Sequence, residues 1–190
     1  MCMKRWVRGV VVAGAVVLGA TGCEAAPAPA AARPSVSAVP PAAEACPEGG
    51  VRLVEGTGDA AMGLRVEGYE LVNCGATDYV LEGYPEIRLL DKAHRPVEVA
   101  VGHGSAPITS QVPAVDAAPQ RVTLAPGQAS SLSVVWRNLV TDATAPAVEG
   151  WVLEVTPRPG APRVSLALSR PVDLGNTGRL GIGPWAAAGR

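Results

Sequence analysis

The 190-residue chain contains no phenylalanine, and aromatic residues make up only 4% of it. Any core must therefore rest on aliphatic side chains and a handful of large rings. Histidine is nearly as scarce, with two residues. A surplus of positive charge is missing as well: 16 Lys and Arg face 17 Asp and Glu, for a net charge of −1. That balance excludes a nucleic-acid binder driven by phosphate neutralisation. Long helical stretches are also absent, because 22 Gly and 18 Pro are too much punctuation for an all-helical protein. The hydrophobic content of 48% is in turn too high for a wholly disordered chain.

What is present begins with a leader. Lys4, Arg5 and Arg8 form a positive start, and Val10 to Ala20 is an uncharged run of Val, Ala, Gly and Leu. The uncharged stretch between Arg8 and Glu24 is 15 residues, short of the ~20 that a spanning helix needs. It reads as a secretory signal over residues 1–22. Thr21-Gly22-Cys23 resembles the lipobox of bacterial lipoproteins, with Ala20 where Leu is preferred. That resemblance makes Cys23 the lipidation site and the membrane a partner through its acyl chains. Ordinary secretion and an uncleaved signal anchor are the rival readings.

Residues 24–45 hold ten Ala and five Pro and lack any strand or helix period. Proline forbids a continuous helix, so residues 23–45 form an extended tether of at most ~70 Å. Removing the leader leaves 13 basic against 17 acidic residues, and Lys92 as the one remaining lysine. Cys46 and Cys74 are then an even pair in an oxidising compartment, which favours a disulfide. A metal site or a reactive thiol is the rival, and neither has a second Cys or a His at ligand spacing.

From Cys46 onward, apolar residues mostly alternate. Leu64 with Val66 and then Tyr69 with Leu71 form one strand, with a change of phase at Gly68 that predicts a bulge. Ile87 and Leu89, then Val97, Val99 and Val101, then Val122 and Leu124 mark three more. Leu132 to Trp136, Trp151 to Val155 and Val164 to Leu168 continue the pattern. Pro126-Gly127 predicts a type II turn. Residues 46–190 are thus expected to form a single all-β domain, an immunoglobulin-like β-sandwich of about seven or eight strands.

Three strings carry a family resemblance: Leu71-Val72-Asn73-Cys74-Gly75, Tyr79-Val80-Leu81-Glu82-Gly83-Tyr84-Pro85, and Val122-Thr123-Leu124-Ala125-Pro126-Gly127. Together with Leu89-Leu90-Asp91, Trp136-Arg137-Asn138 and Asp173 to Leu180, they make the chain similar to a widespread family of actinobacterial lipoproteins. That family is known as domain of unknown function forty-two thirty-two. Much of it has cysteine where this chain has Tyr79, so the pairing of Cys46 with Cys74 does not come from the family. The resemblance implies an exported, often lipidated β-sandwich and contributes no catalytic residue.

The inventory for chemistry is thin. His103 and Ser105 share a Gly-rich loop, but the nucleophile elbow is absent. Ser-x-x-Lys is absent too, since Lys92 follows Leu89. Asp91, His94 and His103 lack metal-ligand spacing, so no metal and no cofactor is expected. A glycosidase-type carboxylate pair stays open, because any two acids can meet in space. The Gly-rich tail after Gly175 predicts a closing turn and strand, with Arg179 as a candidate anion or partner contact. Tyr84, Trp136, Trp151 and Trp185 are expected in the core, and Trp185 is the best aromatic platform if any ring is exposed.

The expected protein is a non-enzymatic envelope lipoprotein, exported and anchored to the outer face of the membrane. It would bind an envelope protein, a wall polymer or a small ligand, and no nucleic acid. The alternative is an extracytoplasmic hydrolase with a dispersed acidic or Ser/His site.

Overall fold

The computed structural model describes residues 45–188, and the leader and Cys23 lie outside the described residues. Eleven strands follow one another, and no described segment is helical. They are β1 Val51–Ala61, β2 Leu64–Asn73, β3 Tyr79–Glu82, β4 Glu86–Leu90, β5 Ala100–His103 and β6 Arg121–Leu124. After these come β7 Ala129–Arg137, β8 Glu149–Thr156, β9 Val164–Asp173, β10 Arg179–Ile182 and β11 Ala186–Ala187.

The large sheet runs β1-β2-β7-β10-β5, with β11 paired to β7. All its pairs are antiparallel except β10 with β5. Facing it are a three-stranded sheet, β4-β8-β9, and the β3-β6 ladder. Side chains of all three sheets meet in one core, including Leu71, Leu81, Leu132, Leu153, Val172 and Leu180. Alternation builds this core, because successive strand residues point to opposite faces. The domain is an all-β sandwich.

The strand total exceeds the expected seven or eight because several strands are too short to leave a periodic trace. Val97 and Val99 belong to no strand, since Pro96 makes only an isolated bridge to Leu90 before β5 begins at Ala100. The turn at Pro126-Gly127 is as expected: Gly127 has φ 82° and Gln128 N donates to Ala125 O at 2.9 Å.

Gly68 behaves differently from its expected role. Strand β2 keeps an unbroken register with β7 from Leu64 to Val72. The irregularity lies in the partner strand β1, between Glu55 and Gly58. Leu64 and Val66 are out of phase with Tyr69 and Leu71 because they serve another cluster. They pack with Val135, Val112, Val115 and Ile108 on the outer face of the large sheet. Both faces of this sheet are therefore partly apolar, the outer one beneath the loop that joins β5 to β6.

The Cys46–Cys74 disulfide ties the start of the domain to the end of β2, with Cα atoms 5.6 Å apart. Beside it Asn73 is buried, and its Nδ2 donates to Thr77 O and Leu124 O, both at 2.8 Å. Its Oδ1 accepts from Gly75 N, so the buried amide is satisfied.

Candidate functional site

Two recesses open on opposite faces of the large sheet, and a third of about 430 Å³ is lined by Thr57, Asp59, Glu70, Ser131 and Ser133. The first is a cleft of about 370 Å³ between the β1–β2 arm and the last residues of β9. Glu55, Glu67 and Asp173 line it, so three carboxylates converge where a dispersed acidic site would have to lie. Each already faces a donor. Glu55 Oε1 accepts from Ser169 N at 2.7 Å, and Glu67 pairs with Arg170 at 3.6 Å. Asp173 accepts from Asn138 Nδ2 at 2.7 Å and from Gly175 N at 2.9 Å. Tyr69 closes the cleft floor, and burial, then Glu67, then Glu55, push its phenol well above the usual range. It stays a neutral donor at any physiological pH. These bonds join β9 to β1 and β2 across the sandwich.

Ser105 and His103 do not form a dyad. The Ser105 hydroxyl is fully buried and donates to Asp116 Oδ2 at 2.6 Å, while Ser105 N donates to Oδ1 at 2.7 Å. Val112 N adds a third bond to the same carboxylate at 2.7 Å. The Ser105 hydroxyl and these amides hold Asp116 below the ordinary aspartate range. His103 instead stacks flat on Tyr84, with centroids 3.9 Å apart. Asp91 is likewise held by its own turn, accepting from Ala93 N, Arg95 N and Arg95 Nε. Among the described residues no group of three or more His, Cys, Asp or Glu could share a metal.

The second recess, about 310 Å³, lies on the outer face at the edge of the β5–β6 loop. Gly181 admits that loop: a Cβ there would stand 2.3 Å from Gly104 O. Strands β10 and β7 pair through Gly181 with Val135 and Ile182 with Val134. That ladder ends at Gly181 and Val135, and beyond it Arg179 and Arg137 line the same recess. Leu180, Ile182, Val134 and Trp136 point inward to the core, so both arginines project outward. Arg137 Nε donates to Ile108 O at 3.2 Å, and Thr177 Oγ1 to Arg137 O at 3.2 Å. Thr141 and Asn176 complete a wall without a carboxylate.

The residues expected from sequence fare unequally. Arg179 is exposed at this recess. Trp185 is no platform: it is 1% exposed, and its Nε1 donates to Pro157 O at 2.9 Å. Trp136 is in the core, but Trp151 is only half-buried. The register of β8 shifts between Gly150 and Val152, turning Trp151 outward beneath Lys92 Nζ at 4.0 Å. Arg137 was missed as a site residue. Its outward phase could be read from Leu132, Val134 and Trp136, but its partner strand could not.

Fold and recesses define an all-β sandwich with a cation-lined hollow on one face and a self-paired cleft on the other. Residues 46–186 match the family described as Domain of unknown function (DUF4232), and the chain belongs to that family. No curated protein and no solved structure matches the chain.

Proposed function

We propose that the protein is an exported, membrane-anchored envelope lipoprotein whose β-sandwich is a non-catalytic binding module. The observation that carries this reading is the contrast between the two recesses. The three carboxylates of the inner cleft face protein donors, as does the Asp116 that holds Ser105. Arg137 and Arg179 instead face a hollow without a carboxylate wall. Binding asks only for such a preformed polar hollow, whereas catalysis asks for a free nucleophile, acid or base. The leader and the Cys23 motif support the anchoring.

The test uses the full chain in mild detergent, incubated with isolated cell envelopes. A binding module is retained saturably and leaves the envelope material intact. Release of soluble fragments contradicts the non-catalytic reading, and absence of saturable retention contradicts binding. In cells, Cys23→Ala should move the protein out of the membrane fraction, and continued attachment would refute lipidation.

A further inference from the structure

We propose that Arg137 and Arg179 form a binding site for a phosphate group, presented from the side of the domain away from Cys46. The proposal rests on the binding-module reading and adds the ligand class. Two like charges held at one recess repel unless something neutralises them. Here nothing in the described protein does. Among the described residues neither arginine has a carboxylate within ion-pair distance; Arg52, Arg65, Arg121 and Arg158 share that lack, but only Arg137 and Arg179 line one recess together. The nearest acid in sequence, Asp142, caps its own turn by accepting from Thr144 N and Oγ1. Asp173 points into the cleft on the other face.

The geometry suits an oxyanion with several acceptors. Guanidinium forks donate in pairs to planar or tetrahedral oxyanions. Free phosphate carries about −1.5 to −2 at neutral pH, enough to balance most of both charges, and a diester with its single charge still offers two non-bridging oxygens in tetrahedral array, one to each fork. Arg137 is also held in place, its Nε on Ile108 O and its carbonyl under the Thr177 hydroxyl. A hollow of about 310 Å³ leaves room for the group that carries the phosphate.

Position selects among sources. Arg137 pairs with Leu64, next to the Met62-Gly63 hairpin tip. Val51, near Cys46, is at the other end of the 11-residue β1, ~35 Å away at the usual rise per residue. The recess thus lies at the end of the sheet remote from where the N-terminal segment joins. That favours free phosphate or a phosphodiester polymer over headgroups of the membrane to which the tether leads.

Calorimetric titration of the full-length Cys23→Ala chain, without detergent and at fixed ionic strength, tests this. The probes are inorganic phosphate, glycerophosphoglycerol and vesicles of phosphatidylglycerol or phosphatidylcholine. Saturable binding of a soluble phosphate probe is expected, weakened about tenfold or more by Arg137→Gln or Arg179→Gln. Arg179→Lys should fall between, and Arg121→Gln on β6 should bind as the wild type does. Tighter binding of the diester points to a polymer, and tighter binding of phosphate to the free ion. No saturable binding of either, unchanged affinity in the double variant, or binding to phosphatidylglycerol vesicles alone overturns the proposal. If envelope retention persists while phosphate binding is absent, this proposal falls and the binding-module reading stands.

Discussion

Arg170 and Arg179 stand on consecutive strands of one acidic domain, yet only one of them is neutralised. Arg170 has Glu67 within 3.6 Å at the mouth of the inner cleft. Arg179 shares a hollow on the outer face with Arg137, and no carboxylate lines it. The chain has acids enough for both. Where they are used, they join strands across the sandwich, which is a structural role. Where they are withheld, two arginines are left together at one hollow, which is the ground for the proposed phosphate site.

The largest effect is expected at the opposite end of the molecule from the arginine pair. Replacing Cys46 and Cys74 by Ser opens a loop spanning 28 residues, a loss of about 3.5 kcal/mol from chain entropy. Urea unfolding should show that loss. Phosphate affinity of the folded fraction should not change, and a drop would mean that the arginine hollow depends on the disulfide end.

Next comes the cleft itself. Asp173→Ala strands the Asn138 amide and the Gly175 N–H, with an expected cost of ~2–3 kcal/mol. A cost near zero would remove the structural account of the cleft carboxylates. A smaller contrast separates the two arginines directly. Arg170→Ala breaks a pair in which the arginine is 79% exposed, and should cost ~0–1 kcal/mol. Arg179→Gln should be neutral or stabilising by a few tenths of a kcal/mol, roughly the scale of a relieved cross-strand repulsion. Clear destabilisation by Arg179→Gln would show that an internal partner holds it.

The gentlest test is pH. Asp116 is lowered from the ordinary 3.8 by the Ser105 hydroxyl first, then by the Ser105 and Val112 amides. A depressed carboxyl adds stability above its unfolded pKa and loses it as pH falls through the folded value. Asp116→Asn should therefore melt lower than the wild type at neutral pH, and the two should converge in acid below 3.8. A constant difference across that window would exclude Asp116 as the titrating group.

Much of the sandwich was legible because alternation survives wherever one face of a strand is buried. Leu132 to Trp136 and the turn at Pro126-Gly127 are examples, and an even cysteine pair behind a leader-like segment led to the expectation of Cys46–Cys74. Strand β1 was not legible. Its second half, Glu55-Gly56-Thr57-Gly58-Asp59, is exposed and carries the bulge, so no period marks it. Trp151 misled for a related reason, since a one-residue irregularity flips a side chain without altering the local pattern. The site divided in the same way. Arg179 stood out in its Gly-rich segment, but its meeting with Arg137 at one recess depends on how strands distant in sequence are placed.

The most direct test of the account is to follow the arginine Nε–H signals by NMR while inorganic phosphate is added to the full chain at constant ionic strength. Arg137 and Arg179 should shift together and saturably, while Arg170 and Arg65, which also lines the cleft, stay still. Movement of the cleft arginines instead, or no saturable movement of either pair, would contradict it.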